Sequence, residues 1–355
     1  MKNQRFFTRK FVPTAQCLQV LMKGMVINME LKQQVLQILE ENRGQTVNGA
    51  KLADELYVTR SAVWKAVKAL QKEGYYITAV TNKGYCLMSH NDIVSTESIR
   101  PYLNAEAKKL QLEVRPSVTS TNTLAKEMAA QGAKEGTVLI ALEQTEGRGR
   151  MGRSFYSPQS SGIYFSIILR PKLKLEDALL ITTATAVAVS QAIETVAGKP
   201  SSIKWVNDIY LGEKKVCGIL TEASLNFESG SLEYAVVGIG INVDTKDFPE
   251  EISSVAGSLF CEKPKDSPIT SILVAEVLNN ISKCMKSMTD KTYLEEYRRR
   301  SFLIGKDILV LKGKDTFYAK AIEIDEKARL IVEYDDKTTE ALNSGEVSVR
   351  ADNRN

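Results

Sequence analysis

The segment from Glu143 to Phe155 carries residue types that suit binding of an anion. Three glycines alternate in it with three arginines: Gly147, Arg148, Gly149, Arg150, Gly152 and Arg153. Glycine lets the backbone approach a ligand closely, and planar guanidinium groups bind phosphate and carboxylate. An exposed basic loop or an arginine-glycine nucleic-acid segment is the alternative, but such segments are usually repetitive. Here the apolar runs 137–142 and 161–169 predict buried strands on both sides, which favours a small-molecule anion site.

Three other segments offer polar groups or close backbone approach. Ser202–Tyr210 is predicted to be one strand that contains Lys204, although a lysine in a strand most often lies at an edge or faces solvent. Ser120, Thr121 and Asn122 precede a predicted helix at 124–131. They are foremost a capping signal, but such a helix start can also hold an anion or a polar ring. Two glycines in the strand predicted at 234–243 would allow a ligand to come close, without forming a dinucleotide fingerprint.

Composition limits the chemistry. The chain has one histidine, His90, and five scattered cysteines without a C-x-x-C pair: Cys17, Cys86, Cys217, Cys261 and Cys284. Histidine-based nucleophilic catalysis, a zinc site and a disulfide framework are therefore not indicated, and a reducing cytoplasm is the simpler expectation. We also expect no membrane association, since no apolar stretch reaches the ~20 residues of a bilayer span by this reading.

Charge is concentrated at the amino terminus. The 355 residues carry a net charge of +4, but residues 1–29 contain five basic and no acidic residues, which leaves the rest at −1. We expect residues 1–29 to be a disordered basic extension or, less simply, a targeting peptide. Nucleic-acid binding by the remaining chain would need a local basic patch.

Residues 30–90 predict such a patch on a winged helix-turn-helix. A helix begins at Leu31, a short helix follows at 49–56, and Thr59 caps a helix that runs to Lys72. Strands at 75–80 and 84–88 would form the wing. A solvated basic face is the alternative, but the motif from Gly49 to Lys68 favours DNA binding. The expected DNA-contacting residues are Thr59, Arg60, Ser61, Trp64, Lys65, Lys68 and Lys83.

The remaining chain predicts two further domains, and the fold class is α+β and multidomain. Residues 95–300 would form an α/β domain with a buried helix at 175–196 and a long helix at 270–299. Residues 305–355, with five short strands separated by polar turns, predict a small β-barrel.

Taken together, the motifs resemble those of the bifunctional biotin protein ligases that also repress the biotin operon. The resemblance covers about residues 30–350 and adds to the winged helix five motifs in the family's order: Ser120–Asn122, Gly147–Arg153, Lys204–Asp208, Gly238–Asn242 and Gly345–Arg350. It implies a mixed-sheet catalytic domain of the biotin/lipoate ligase type and an SH3-like C-terminal barrel. It also implies that biotin and ATP give biotinyl-5′-AMP, and that a lysine of a biotin carboxyl carrier protein then displaces AMP.

The resemblance assigns roles to individual residues. Lys204, Arg148 and Arg150 would be catalytic. Biotin would be bound by Ser120, Thr121, Asn122, Gln144, Arg148, Gly149, Arg150 and Lys204. The nucleotide would be bound by Gly147, Arg153, Phe155, Asn207, Asn242, Glu346 and Arg350. Val206 replaces a usual proline and Met151 a frequent arginine, and neither change removes a group on which the chemistry depends.

The implied ligands and partners are ATP with Mg²⁺, biotin, the carrier protein and operator DNA, with a homodimer in the adenylate-bound state. No protein ligand to Mg²⁺ is assigned. Two alternatives stay open: a lipoate ligase of the same architecture, and a ligand-sensing repressor without turnover.

Overall fold

The computed structural model describes residues 30–80, 83–226, 230–286, 288, 290–343 and 347–351. Two compact units make up the chain, with the division between Asn91 and Asp92, and each is described by itself. The basic extension expected at residues 1–29 lies outside the described residues.

The first unit is a winged helix-turn-helix, as the sequence predicts. Its elements are α1 (Leu31–Glu41), α2 (Gly49–Glu55), α3 (Arg60–Lys72), β1 (Ile77–Val80) and β2 (Gly84–Leu87). The Thr59 hydroxyl oxygen accepts a hydrogen bond from the Ala62 amide at 3.2 Å and so caps α3. Val63, Val67 and Leu70 are buried on the inner face of α3, which leaves its basic face exposed.

A seven-stranded mixed sheet forms the centre of the second unit. Its strands are β3 (Gln111–Arg115), β4 (Thr137–Ala141), β5 (Gly162–Leu169), β6 (Ser202–Lys204), β7 (Asp208–Leu211), β8 (Lys214–Asn226) and β9 (Ser231–Asn242). Their order in the sheet is β3-β4-β5-β9-β8-β7-β6, with β3 and β4 parallel and the other pairs antiparallel.

Helices cover both faces of this sheet. They are α4 (Thr96–Ile99), α5 (Thr121–Ala130), α6 (Ala178–Ala197), α7 (Glu250–Ser253), α8 (Ile269–Lys286) and α9 (Tyr293–Arg300). Alternation along β5 separates the two faces: Ile163, Phe165 and Ile167 join the main core with α6 and α8, while Ile168 packs with α5 on the other side. Tyr164 and Ser166 share that second face by the same alternation.

Helix α6 corrects the expectation drawn from hydropathy. Among the described residues it is the one helix long and apolar enough to cross a membrane by length and composition, contrary to that expectation. However, 72% of its most apolar stretch is buried in the protein, so the core accounts for this composition.

Two segments that the sequence predicts as single elements are each divided into two. The strand predicted at 202–210 is a hairpin, β6 and β7, in which Lys204 pairs with Asp208 across a turn whose Trp205–Val206 peptide is cis. The helix predicted at 270–299 is two helices, α8 and α9. Between them Lys291 takes a left-handed conformation (φ 58°), and the Asp290 carboxylate accepts hydrogen bonds from the Thr292 amide and hydroxyl. Such local polar bonding competes with helix continuation.

The C-terminal region is a small antiparallel β domain, in agreement with the prediction. Its strands are β10 (Asp307–Lys312), β11 (Asp315–Ile324), β12 (Leu330–Tyr334), β13 (Thr339–Leu342) and β14 (Val347–Ala351), in the order β13-β12-β11-β10-β14. Ile308, Val310 and Val332 belong to the same buried cluster as the core of the mixed sheet. The domain therefore packs as part of the second unit.

Candidate active site

A cleft opens on the α5 face of the mixed sheet, where β5, β9 and β8 lie side by side. Its floor follows from the register: Tyr164 and Ser166 on β5 lie opposite Gly240 and Gly238 on β9, and Gly240 lies opposite Gly218 on β8. Small residues at neighbouring positions leave a depression between larger side chains. The start of α5, the glycine-arginine loop and the β6–β7 hairpin surround it.

The first wall of the cleft is a hydrogen-bonded polar cluster at the start of α5. Ser120 caps the helix, and its neighbour Thr121 donates from both its amide and its hydroxyl to Gln144 Oε1, at 2.8 and 3.1 Å. Gln144 Nε2 donates in turn to Ser157 Oγ at 3.0 Å. The Ser166 hydroxyl lies between Thr121 Oγ1 and Asn122 Oδ1, at 2.8 and 2.7 Å. These groups are fixed in place and could bind a ring with several donors and acceptors.

Two glycines of β9 leave room for side chains that pack directly against the sheet. A Cβ atom at Gly238 would lie 2.0 Å from Asn122 Oδ1, and one at Gly240 would lie 2.5 Å from Phe155 Cε1. Both distances are far below van der Waals contact, so these positions require the absence of a side chain. Phe155 also contacts the position of Gly218, and its ring lies edge-on to Tyr164 with the centroids 6.3 Å apart. The cleft therefore has an aromatic wall over a glycine floor.

The glycine-arginine loop folds back on itself over the cleft. Arg148 and Ser154 form an isolated bridge, and the Gly149 and Phe155 amides donate to the carbonyls of Arg153 and Gly147 at 2.7 and 2.8 Å. The side chain of Arg148 is 50% exposed and lies 3.8 Å from Glu222. This pairing is weak enough to be exchanged for a ligand anion.

Arg150 lies deeper in the cleft than Arg148. Its Nη1 atom donates to Asn207 Oδ1 at 3.0 Å. Burial lowers the pKa of the Arg150 guanidinium, an effect that the charge of Asp208 opposes. An arginine remains charged under these conditions, so Arg150 brings a poorly solvated positive charge to the cleft.

The β6–β7 hairpin presents Lys204 and Asn207 to the same space. Trp205 and Val206 are buried in the turn between them: Trp205 Nε1 donates to the Ala328 carbonyl at 3.0 Å, and the Val206 carbonyl accepts from the Tyr297 hydroxyl at 3.0 Å. Asn207 Nδ2 donates to the Ile219 carbonyl at 2.8 Å. The turn is thus anchored on both sides, which fixes where the Lys204 ammonium group can reach.

Most of the predicted small-molecule residues line this one cleft: Ser120, Thr121, Asn122, Gln144, Arg148, Gly149, Arg150, Arg153, Phe155, Lys204 and Asn207. Gly147 is buried beneath the loop and bonded to Phe155. Asn242 does not line the cleft, since it is buried at the end of β9 and donates to the Gly257 carbonyl at 2.9 Å. Arg350 lies opposite Leu309 in the C-terminal sheet, and Glu346 lies outside the described residues.

Sequence reasoning missed several residues of the site. Asp208 and Lys215 line the cleft as an ion pair with 2.7 Å between Oδ1 and Nζ. Ser166 is fully buried at the floor, and Glu222 bonds to Asn122 and Lys126 behind the wall. A serine within the apolar run Ile163–Leu169 was the available signal for Ser166, because a buried hydroxyl needs a partner.

The residues predicted to contact DNA are all exposed in the first unit, at the start and along one face of α3 and, for Lys83, on the wing. The exposed residues are Thr59, Arg60, Ser61, Trp64, Lys65, Lys68 and Lys83. Trp64 is 51% exposed on α3, beside the exposed Lys65. The exposed face of α3 therefore offers positive charge and hydrogen-bonding groups, which suit contact with phosphates and base edges.

The fold and the cleft define a class of protein: a winged helix-turn-helix followed by a ligand-binding domain whose hydrogen-bonding pocket opens onto a cationic end. Residues 114–242 match the model of the biotin/lipoate A/B protein ligase family, residues 32–86 match an HTH domain, and residues 303–350 match the biotin protein ligase C-terminal domain.

Individual proteins give the same result. The chain is 35% identical over 317 residues to the bifunctional ligase/repressor BirA of Bacillus spizizenii, covering 85% of this chain and 94% of that protein. It is 30% identical over 246 residues to the biotin–[acetyl-CoA-carboxylase] ligase of Mycobacterium tuberculosis, covering 67% and 88%. A solved biotin protein ligase from Aquifex aeolicus, in complex with biotin and ATP, aligns with a TM-score of 0.57 at 31% identity over 68% of this chain and 99% of that one. The chain belongs to the biotin protein ligase family and has the domain content of its bifunctional ligase/repressors.

Proposed function

We propose that the protein activates biotin with ATP, transfers it to a biotin carboxyl carrier protein, and represses biotin genes when it holds the activated intermediate. The observation that carries this proposal is that one cleft contains both a hydrogen-bonding cluster and a group of positively charged side chains. The Thr121–Gln144 cluster supplies the matched donors and acceptors that a ureido ring needs, and Arg148, Arg150 and Lys204 supply positive charge beside it.

Each step follows from this arrangement. In the first, a biotin carboxylate oxygen attacks the α-phosphorus of ATP, the bond to the β-phosphate breaks, and pyrophosphate leaves. Two anions must meet, so Lys204 and the arginines are proposed to hold the carboxylate and the phosphate and to stabilise the developing charge. In the second, an uncharged lysine amine of the carrier attacks the acyl carbon, AMP leaves, and the amine gives up a proton. The loop that carries Arg148 and Arg150 would exclude water from the mixed anhydride.

Mg²⁺ is proposed to enter with the phosphates of ATP. No group of three or more histidine, cysteine or acidic side chains able to hold a metal occurs in the described part of the chain. Among the described residues that line the cleft, Asp208 is the one carboxylate, and it pairs with Lys215. A magnesium ion that takes one protein carboxylate and several phosphate and water oxygens fits this donor set. When bound, it would neutralise charge on the leaving pyrophosphate.

Pyrophosphate exchange tests the first step. Purified protein should incorporate labelled pyrophosphate into ATP only when biotin is present. Lipoate in place of biotin distinguishes the lipoate ligase alternative, and transfer to a carrier protein distinguishes an active ligase from a ligand sensor. Absence of biotin-dependent exchange would exclude the proposed activity.

Replacement of Gly238 by alanine is expected to weaken biotin binding about tenfold or more, the usual scale for a displaced buried hydrogen-bonding group. The new Cβ atom would lie 2.0 Å from Asn122 Oδ1, and Asn122 cannot move away without losing its bonds to Ser166 and Leu220. Isothermal titration with biotin measures the effect, and the unfolding midpoint of the same variant shows whether the fold is kept. Equal biotin affinity in a folded variant would mean that Asn122 does not contact the ligand.

DNA binding is proposed to depend on the adenylate and on a homodimer. Lys65→Ala is expected to weaken operator binding and to reduce the slope of log affinity against log salt by about 1, as for loss of one phosphate contact. Fluorescence anisotropy at several salt concentrations, with and without biotinyl-5′-AMP, measures both. Lys337→Ala, which removes an exposed lysine of the C-terminal domain, is the control. Equal operator affinity with and without the adenylate would rule out ligand control.

The domain boundaries and the cellular location are also proposals. We place the DNA-binding domain at 30–90, the catalytic domain at 95–300 and the C-terminal domain at 305–355. Four cysteines in the described residues, Cys86, Cys217, Cys261 and Cys284, are free thiols, which supports location in a reducing cytoplasm.

A further inference from the structure

The neighbours of Asn122 fix which way its side-chain amide is oriented. Its Nδ2 atom donates to the Leu220 carbonyl at 3.1 Å and to Glu222 Oε2 at 2.9 Å, so both amide protons are used. Its Oδ1 atom faces the Ser166 hydroxyl over the Gly238 floor. In the reverse orientation Oδ1 would face a carbonyl and a carboxylate, two acceptors that repel it. Asn122 therefore has no donor left and offers a ligand only an acceptor.

Glu222 is the charged member of this arrangement and does not line the cleft itself. Its Oε1 atom bonds to Lys126 Nζ at 2.5 Å, and Arg148 lies 3.8 Å away. Burial acts to raise the pKa of Glu222, but the hydrogen bonds from Lys126 and Asn122 and the charges of Lys126 and Arg148 together hold it below its usual value. Glu222 is thus an ionised acceptor at neutral pH, held in position by Lys126.

One proton of the polar cluster faces two acceptors. The Thr121 hydroxyl proton is directed at Gln144 Oε1, so Thr121 Oγ1 and Asn122 Oδ1 must share the single proton of Ser166. Thr121 Oγ1 is already bonded to Gln144, so Asn122 Oδ1 is the oxygen with an open acceptor position whenever Ser166 donates to Thr121. A ligand that brings an N–H group can bond to Asn122 Oδ1, and a ligand without one cannot.

We propose that Glu222 is a positioning residue that makes Asn122 an acceptor-only group, and that this polarity selects the N–H groups of a cyclic urea over ligands that lack them. The proposal rests on the proposed activation of biotin and deepens it. Lipoate fits the same fold class, but its dithiolane ring has no N–H to give. Discrimination between biotin and lipoate would then depend on the orientation of the Asn122 side-chain amide, which Glu222 sets from behind the wall of the cleft.

Exchanging the hydrogen-bond donor and acceptor between Asn122 and Glu222 tests the proposal. Asn122→Asp places a carboxylate against Glu222 and the Leu220 carbonyl, and should raise the KM for biotin about tenfold or more through repulsion and a lost donor. In the double variant Glu222→Gln/Asn122→Asp, the new glutamine amide can donate to the new carboxylate, which again points an acceptor at the ligand. The KM for biotin should fall by about threefold or more from that of Asn122→Asp, given the size of a restored hydrogen bond, but not to the original value, because the Leu220 carbonyl still faces the carboxylate.

Biotin-dependent and lipoate-dependent pyrophosphate exchange provide the readout, with kcat and KM separated. Glu222→Ala should raise the KM for biotin with little change in kcat. It should also lower the ratio of kcat/KM for biotin to kcat/KM for lipoate. Failure of the double variant to recover, while both variants stay folded by their unfolding midpoints, would overturn the positioning role. An unmutated protein without biotin-dependent exchange would instead disprove the proposed function, so the two failures are distinguishable.

Discussion

Lys204→Ala is expected to slow formation of biotinyl-5′-AMP by roughly 30- to 900-fold, which corresponds to about 2–4 kcal/mol for a lost electrostatic donor at a reacting anion. The loss should fall mainly on kcat, because the lysine is proposed to act on charge that develops as the carboxylate meets the α-phosphate. Single-turnover adenylate formation at saturating biotin and ATP measures this step without product release.

Two variants separate a role in the reaction from a general loss of charge. Lys172→Ala removes another positive charge from the second unit at an exposed position outside the cleft, and should leave the rate within about twofold, as expected of a screened surface charge. Lys204→Arg keeps the charge but changes the shape of the donor, and should recover part of the rate. If Lys204→Ala raised only the KM for biotin, Lys204 would serve in binding and not in the chemical step.

The parts of this site that can be predicted from sequence are those whose chemistry is concentrated in short segments. The alternation of Gly147 to Arg153 and the serine-threonine-asparagine start of α5 are visible without a structure, because adjacent residues carry them. For Lys204 the strand pattern alone favours an edge or solvent-facing lysine, and its selection depends on the family resemblance. Ser120, Thr121, Asn122, Arg148, Gly149, Arg150, Arg153 and Lys204 line the cleft, whereas Gly147 lies beneath the loop.

The floor of the cleft could not be predicted in the same way. It depends on the register that places Gly240 of β9 opposite Gly218 of β8, and Ser166 of β5 opposite Gly238. Register depends on long-range pairing, and a shift by one residue would move every side chain to the other face of the sheet. Asn242 illustrates the limit: two residues beyond Gly240, it lies past the cleft and bonds to Gly257.

The mistaken strand at 202–210 has a tertiary cause. Trp205 and Val206 read as strand residues because they are apolar, but they are buried in a turn between the catalytic sheet and the C-terminal domain. The hydrogen bond from Trp205 to Ala328 spans 123 positions of sequence, and no local pattern encodes it. The hairpin that presents Lys204 is therefore completed by the C-terminal domain.

Arg300→Met is expected to destabilise the second unit by about 2 kcal/mol, between the values for a surface pair and for a fully buried one, because the Glu194 carboxylate left behind is 30% exposed. The Arg300 side chain is only 5% exposed and bridges α6 and α9 through Glu194 at 2.6 Å and Glu296 at 2.7 Å. It also donates to Ser201, the residue before β6. Methionine fills similar space but leaves Glu194 without its cation. Urea unfolding followed by intrinsic fluorescence measures the change.

Arg299→Met is the matched control, because Arg299 bonds to the same Glu296 at 2.6 Å but is 66% exposed. Its loss should cost less than about 1 kcal/mol, the usual value of a surface pair. Equal effects of the two substitutions would mean that burial of Arg300 contributes nothing, and a folded Arg300→Met variant of full stability would contradict the prediction outright.

The pH dependence should distinguish the Arg300 ion pairs from simple packing. A hydrogen bond from Arg300 holds the pKa of Glu194 below its ordinary value, while Arg299, against the effect of burial and with further help from Arg300, lowers the pKa of Glu296 to about 2. A carboxyl group whose pKa is lowered by folding stabilises the protein above its ordinary pKa of 4.5, and that contribution is lost as the pH falls toward the folded value. The stability difference between the original protein and Arg300→Met should therefore be constant from about pH 6 to 8 and shrink as the pH falls below about 4.5. Because Glu296 keeps its bond to Arg299 in the variant, most of the change should come from Glu194, and Glu194→Gln should remove most of the pH dependence of the difference.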